Sequence, residues 1–214
     1  MLKVHGRKTS VNVQKVMWVV GELGLPHTRT DVGGAFGGLD TPEYGAMNPN
    51  RLVPVIDDGG FILWESAAIV RYLSERYGRG TLAPEGHHAY ARADQWMEWA
   101  GTTLMQPIIA TCFLQLIRVQ AAVRDTKAVA AAAKTVGEKL AILDAHLADR
   151  QFIMGDQLTM ADIGVGSLLY RYFNLPMERP RLVHVDLYYR RLTARPAYQQ
   201  HVMVDFEAMK VPGA

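Results

Sequence analysis

Two hydrophobic periods divide this chain. Up to about residue 78, short alternating runs are interleaved with helical ones; beyond it, nearly every apolar residue recurs at helical spacing. Leu2-Lys3-Val4-His5-Gly6 alternates as a short strand does. The polar stretch Thr9 to Asn12 reads as a turn, after which Val13, Val16, Met17 and Val20 fall on one helical face. That spacing predicts an amphipathic helix ended by Gly24. His27 to Val32 predicts a second strand, and the glycine-rich Gly33 to Gly38 a mobile loop. Val53 to Leu63 predicts a hairpin turning at Asp58-Gly59. Helical spacing returns at Ser66, with Ala68, Ile69, Tyr72 and Leu73, and runs to Gly78.

The order is a βαβ unit followed by ββα, and then helices alone. The Pro/Gly-dense stretch after Gly78 predicts a boundary, with one domain at 1–78, a linker at 79–88 and an all-helical domain at 89–214. In the second domain Val136, Leu140, Leu143 and Leu147 form one helix face. Thr159, with Asp162 three residues on, has the form of a capping box, and Leu158 can staple to Ile163.

Composition sharpens the class. The 214 residues are 49% hydrophobic and 21% charged, as in an ordinary globular protein, and the net charge of +2 gives no pull toward nucleic acid or an acidic membrane. One cysteine, Cys112, excludes an intrachain disulfide framework, and its apolar neighbours suggest a buried, inert thiol. The opening MLKVHGRKTS lacks the apolar core of about 7–15 residues that marks a secretory signal, and no uninterrupted apolar run of about 18 residues appears. A soluble, cytoplasmic protein is expected. His87-His88 lacks a third ligand, so no metal site is expected. The glycine loop lacks the Gly-Lys-Ser/Thr ending of a phosphate loop. Arg179, Arg181, Arg190, Arg191 and Arg195 read as a solvated helical surface.

Three places carry candidate chemistry. Ser10 and Asn12 lie between the first strand and first helix, where a helix N-terminus favours an anion and eases deprotonation of a thiol. The plain alternative for either is a helix cap. Val53-Pro54 interrupts a strand-like run, which leaves the backbone of Val53 free to pair with an extended peptide; an ordinary edge proline is the alternative. At Glu65-Ser66 a carboxylate suits an ammonium, and a hydroxyl at a helix start suits a carboxylate; Ser66 also reads as a simple cap.

In this order, the stretches Ser10-Val-Asn-Val-Gln-Lys-Val, Asn48-Pro49-Asn-Arg-Leu-Val53-Pro54-Val-Ile, Glu65-Ser66-Ala-Ala-Ile-Val-Arg-Tyr-Leu and Leu158-Thr-Met-Ala-Asp162 resemble the cytosolic glutathione transferases over essentially the full length. Ser-x-Asn-Val is similar to the serine-type branch, with likeness to plant phi and bacterial nu members. The resemblance implies a thioredoxin-like α/β N-terminal domain with a cis-proline, an all-α C-terminal domain, a homodimer, and glutathione as co-substrate without a metal. It implies that Ser10 holds the glutathione sulfur as thiolate, or that Asn12 does so instead. Val53, before Pro54, would pair with the cysteinyl backbone, and Glu65 and Ser66 would hold the γ-glutamyl end. Two departures concern the glycyl end: Leu52 stands where the family often has Lys or Gln, leaving neighbouring Arg51 as a candidate, and Leu39-Asp40 replaces the upstream basic contact.

The electrophile would lie against the second domain, with Trp96, Trp99, Thr103, Gln106 and Phe113 as candidates, although aromatics at helical spacing are commonly core. The implied activity is conjugation of the glutathione thiolate to hydrophobic electrophiles. Two alternatives stay open: a glutathione-dependent disulfide reductase or peroxidase, favoured by Asn12, and a non-catalytic binding protein on the same scaffold, favoured by Leu52.

Overall fold

The computed structural model describes residues 1–213. In its first third, β1 (Leu2–His5), α1 (Val11–Glu22) and β2 (His27–Thr30) precede α2 (Pro42–Met47), β3 (Val55–Asp58), β4 (Phe61–Trp64) and α3 (Ser66–Tyr77). The sheet order is β2-β1-β3-β4, with β1 parallel to β2 and antiparallel to β3, and β3 antiparallel to β4. This is the expected thioredoxin-like arrangement. Val4 and Ile56, paired across β1 and β3, are fully buried on one face of the sheet, and Val55, pointing the other way, is fully buried on the opposite face.

Three local expectations need correction. The hairpin turns at Gly59-Gly60, one residue later than read, since these two glycines take the positive φ values (64° and 97°) that a tight hairpin turn demands. Gly33 to Gly38 is a defined turn containing a 3-10 segment, Gly34–Phe36, with Gly33 N donating to Gly37 O at 2.7 Å. Asn12 belongs to the first turn of α1 rather than to a loop, because the chain becomes helical directly after Ser10.

The remainder is helical. One continuous helix, His87–Arg118, comprises α4 (His87–Trp99), two π-helical stretches (Ala100–Leu104 and Gln106–Phe113) and α5 (Leu114–Arg118). The second π stretch holds Pro107, which has no N–H to give to the helical ladder. By length and composition alone this helix could cross a membrane. Its apolar stripe Ala93, Met97, Ala100, Leu104 and Ile108 is instead buried in the protein core. α6 (Thr126–His146), α7 (Met160–Asn174), α8 (Val183–Thr193) and α9 (Pro196–His201) complete the set, and α7 packs against α4 at the centre. Gly164 allows this approach, since a Cβ there would meet Met97 Sδ at 2.9 Å.

The connection after α3 is sewn to the helical half: Leu82 and Ala83 are buried, and Met160 N donates to Leu82 O at 2.8 Å. The capping box at Thr159 forms. Asp162 is fully buried and accepts from Thr159 N (2.8 Å), Ile153 N (2.9 Å) and the Tyr188 hydroxyl (2.9 Å). Burial raises its pKa to about 6 despite these donors. The arginines predicted as solvated are partly committed: Arg179 donates to Tyr172 O and Leu175 O, Arg191 to Gln151 O, and Arg195 grips Glu22 at 2.6 Å. A guanidinium near helix ends finds orphan carbonyls that periodicity does not reveal.

Asp162→Ala is expected to lower stability by about 3 kcal/mol or more, because it strands several buried donors at once. Denaturant unfolding checks this; a loss below about 1 kcal/mol would show that the donors find other partners.

Candidate functional site

Ser10 is the N-cap residue of α1, with extended φ and ψ (−79°, 124°). Its backbone is engaged on both sides: Ser10 N donates to Arg7 O at 3.1 Å, and Gln14 N donates to Ser10 O at 2.9 Å. Its side chain makes no capping bond. Among the described residues the hydroxyl has no hydrogen-bond partner, and it lies beside the first-turn N–H groups, where the helix dipole favours negative charge.

Asn12 and Ser66 come together from opposite ends of the N-terminal half. The Ser66 hydroxyl donates to Asn12 Oδ1 at 3.3 Å, and Lys15 Nζ donates to the same oxygen at 3.2 Å. Ser66 is buried, and beside its hydroxyl the open N–H groups of the first turn of α3 suit an arriving carboxylate. Glu65, exposed and just before α3, holds φ at 70°. A non-glycine residue there costs about 1–3 kcal/mol, a strain that recurs at ligand clamps.

The Val53-Pro54 bond is cis, and β3 begins only at Val55. Among the described residues Val53 takes part in no strand pairing or turn hydrogen bond. The preceding loop is tied down: Leu52 O accepts from the Tyr44 hydroxyl (2.8 Å) and from Asn48 Nδ2 (2.9 Å). Leu52 itself is exposed. Arg51 turns back to donate to Leu39 O (2.8 Å) and Thr41 O (3.0 Å), and so braces the α2 loop.

The electrophile candidates scatter. Phe113 is buried against Phe206, with the Arg171 guanidinium 5.1 Å above its ring. Arg171 in turn donates to Thr9 O (2.8 Å) and Gln14 Oε1 (2.7 Å), which links Phe113 to the turn that carries Ser10. Trp96 instead lies tilted against His146 (4.7 Å) and edge-on to Trp99 (5.0 Å), lining a cavity with Arg92, Gln95 and Arg150 that shares no residue with the Ser10 turn. Thr103 is half-buried, and Gln106 is exposed and bonded to Thr111. Cys112 is buried beside Val129 O, and burial raises its pKa.

Sequence reasoning missed Lys15 and Arg171. Both are buried cations near the start of α1, and neither forms an ion pair with a carboxylate among the described residues. Desolvation, and then the Arg171 charge, lowers the Lys15 pKa to about 8, with Glu65 acting the other way. Gln14-Lys15 interrupts the otherwise apolar run Val13 to Val20, the one local mark of Lys15, and it does not reveal that the amine is buried.

Comparison with known proteins accords with this geometry. Residues 9–76 match the glutathione S-transferase N-terminal domain and residues 126–201 the C-terminal domain. The chain is 36% identical to glutathione S-transferase GstB of Escherichia coli K12, over 95% of its own length and 99% of that protein. It is 30% identical to glutathione S-transferase 3 of Zea mays, covering 94% and 93% of the two chains. A theta-class glutathione S-transferase from Xanthomonas axonopodis pv. citri, solved with glutathione bound, superposes with a TM-score of 0.90 at 43% identity, covering 95% and 98%. The chain belongs to the glutathione S-transferase family.

Lys15→Met tests whether the amine is buried at a cost. The folded-state pKa of about 8 lies below the ordinary value near 10.4, so between them the unfolded chain binds the extra proton and wild-type stability rises with pH. At pH 7 the variant is expected to be as stable as wild type or up to about 3 kcal/mol more so, with its relative stability declining toward pH 10. Denaturant midpoints across that range provide the check, and a pH-independent difference would contradict it.

Proposed function

We propose that this glutathione S-transferase conjugates the glutathione thiolate to hydrophobic electrophiles through a site begun by Ser10 and Asn12. The observation that carries the reading is the uncommitted Ser10 hydroxyl at the N-terminus of α1, within a fold whose cis Val53-Pro54 bond leaves the Val53 backbone unpaired. Ser10 donates to the sulfur, and Asn12 adds an amide donor beside it. Each unit by which they depress the thiol pKa is about 1.36 kcal/mol in favour of the anion. Val53 pairs with the cysteinyl backbone as an added strand. Glu65 takes the γ-glutamyl ammonium, while the first turn of α3 with Ser66 takes the carboxylate. With the division at 1–78 and 89–214, glutathione sits on the first part and the electrophile against the second, where Phe113 is joined to the reacting turn through Arg171. Holding both substrates together supplies proximity.

The same reading makes the protein a cytoplasmic homodimer. Support for the pairing comes from the edge strand β4, where Phe61 and Ile62 are exposed, with exposed Tyr77 bonded to Asp58 beside it.

Ser10→Ala is expected to raise the thiol pKa read from the pH profile of kcat/KM by about one unit or more and to cut turnover about tenfold, with glutathione KM nearly unchanged. An unmoved profile would transfer the role to Asn12. Glu65→Ala is expected to raise glutathione KM about tenfold, the loss of one charge-assisted contact, with kcat little changed. A KM within twofold of wild type would remove Glu65 from the site.

A further inference from the structure

An asparagine amide offers an oxygen that only accepts and a nitrogen that only donates, and either edge can face a ligand. For Asn12 the difference is decisive: the nitrogen edge stabilises a neighbouring thiolate and the oxygen edge repels it. The Ser66 hydroxyl, 3.3 Å from Asn12 Oδ1, cannot choose between them, because it both donates and accepts. Lys15 can. Its ammonium only donates, it is buried at 7% exposure, and its one side-chain hydrogen bond among the described residues goes to Asn12 Oδ1 at 3.2 Å. Among the described residues Asn12 Nδ2 has no protein acceptor, and only Ser74 Oγ and Tyr172 OH are buried side-chain atoms left without a partner, so Asn12 Nδ2 reaches open surface.

We propose that Lys15 is a positioning residue for thiol ionisation: a buried donor that locks the Asn12 amide with its N–H groups toward the glutathione sulfur. This rests on the reading of Asn12 given above. Lys15 contacts the amide and not the reacting atoms, so its effect passes through Asn12. The charged groups it senses are Arg171 and Glu65. Without the amine, the Ser66 hydroxyl accommodates either amide edge, and the oxygen faces the sulfur part of the time.

The test is the thiol pKa, taken from kcat/KM against pH with glutathione and 1-chloro-2,4-dinitrobenzene, in wild type, Lys15→Met, Asn12→Ala and the double variant. Lys15→Met and Asn12→Ala are each expected to raise this pKa by about half a unit or more, and the double variant to match Asn12→Ala alone. Additive shifts would mean that the ammonium acts through space, and an unmoved pKa in either single variant would mean that the amide is not under its control; each result overturns the proposal. Asn12→Asp guards against a folding failure at Lys15, because it keeps an oxygen for the ammonium and removes the N–H donors. It is expected to raise the thiol pKa at least as far as Asn12→Ala, and a wild-type value there would also overturn the proposal. Failure of the underlying function reads differently: wild type itself would then show no ionisation below the range of free glutathione.

Discussion

Helix α1 is enclosed by both halves of the protein, and the remaining geometry follows from that enclosure. Val13, Val16, Trp18, Val19 and Val20 are all fully buried, with α3 packed on α1 from one half and α7 and α9 from the other. Trp18 meets Tyr198 edge-on at 4.7 Å and donates to Glu22, which also receives Arg195 from the start of α9. At the other end Arg171 of α7 holds Thr9 O and Gln14. A helix fixed at both ends cannot shift its N-terminus without disturbing two cores, so Ser10 is presented at a set position. The candidate site therefore starts from a rigid element rather than from a free loop.

The enclosure has an electrostatic consequence. Two cations, Lys15 and Arg171, are buried near the start of α1 without carboxylate partners among the described residues, and each has its pKa lowered first by desolvation, to about 8 and about 10. Burying unpaired charge costs stability, and such a cost persists where an arriving anion can offset it. A tripeptide that brings a thiolate and a carboxylate to this end of α1 is an anion of that kind. The positive first turn of the helix acts in the same direction. In the proposed mode of glutathione binding, the stability given up by burying these cations becomes a preference for the charged ligand.

Much of the architecture was legible because strand and helix periods differ so plainly. Leu2 to His5, the Val13–Val20 face and the Ser66–Tyr77 run need no tertiary information. The turn glycines were harder: Asp58-Gly59 is a strong hairpin signal, yet the register of β3 against β4 places the turn on Gly59-Gly60. The glycine-rich segment at 33–38 looked unconstrained, but Gly33 and Gly34 lie against the Arg7 side chain. Ser10, Val53 and Ser66 could be picked out because cap and proline chemistry is local. Lys15 and Arg171 could not, since a cation on a helix reads as solvated face until its neighbours are known. Gln14 and Arg171 are 157 residues apart, and no pattern along the chain joins them. Trp96 shows the converse: helical spacing grouped it with Phe113, but its ring packs beside His146 on a cavity that shares no residue with the Ser10 turn.

The central claim is that the beginning of α1 holds a bound thiol as its anion. Ultraviolet titration of the wild-type protein saturated with glutathione measures this directly, through the absorbance of the thiolate. The account predicts that the band is developed at neutral pH, well below the range in which free glutathione ionises. A band that grows only where the free thiol titrates would contradict it, whatever the fold.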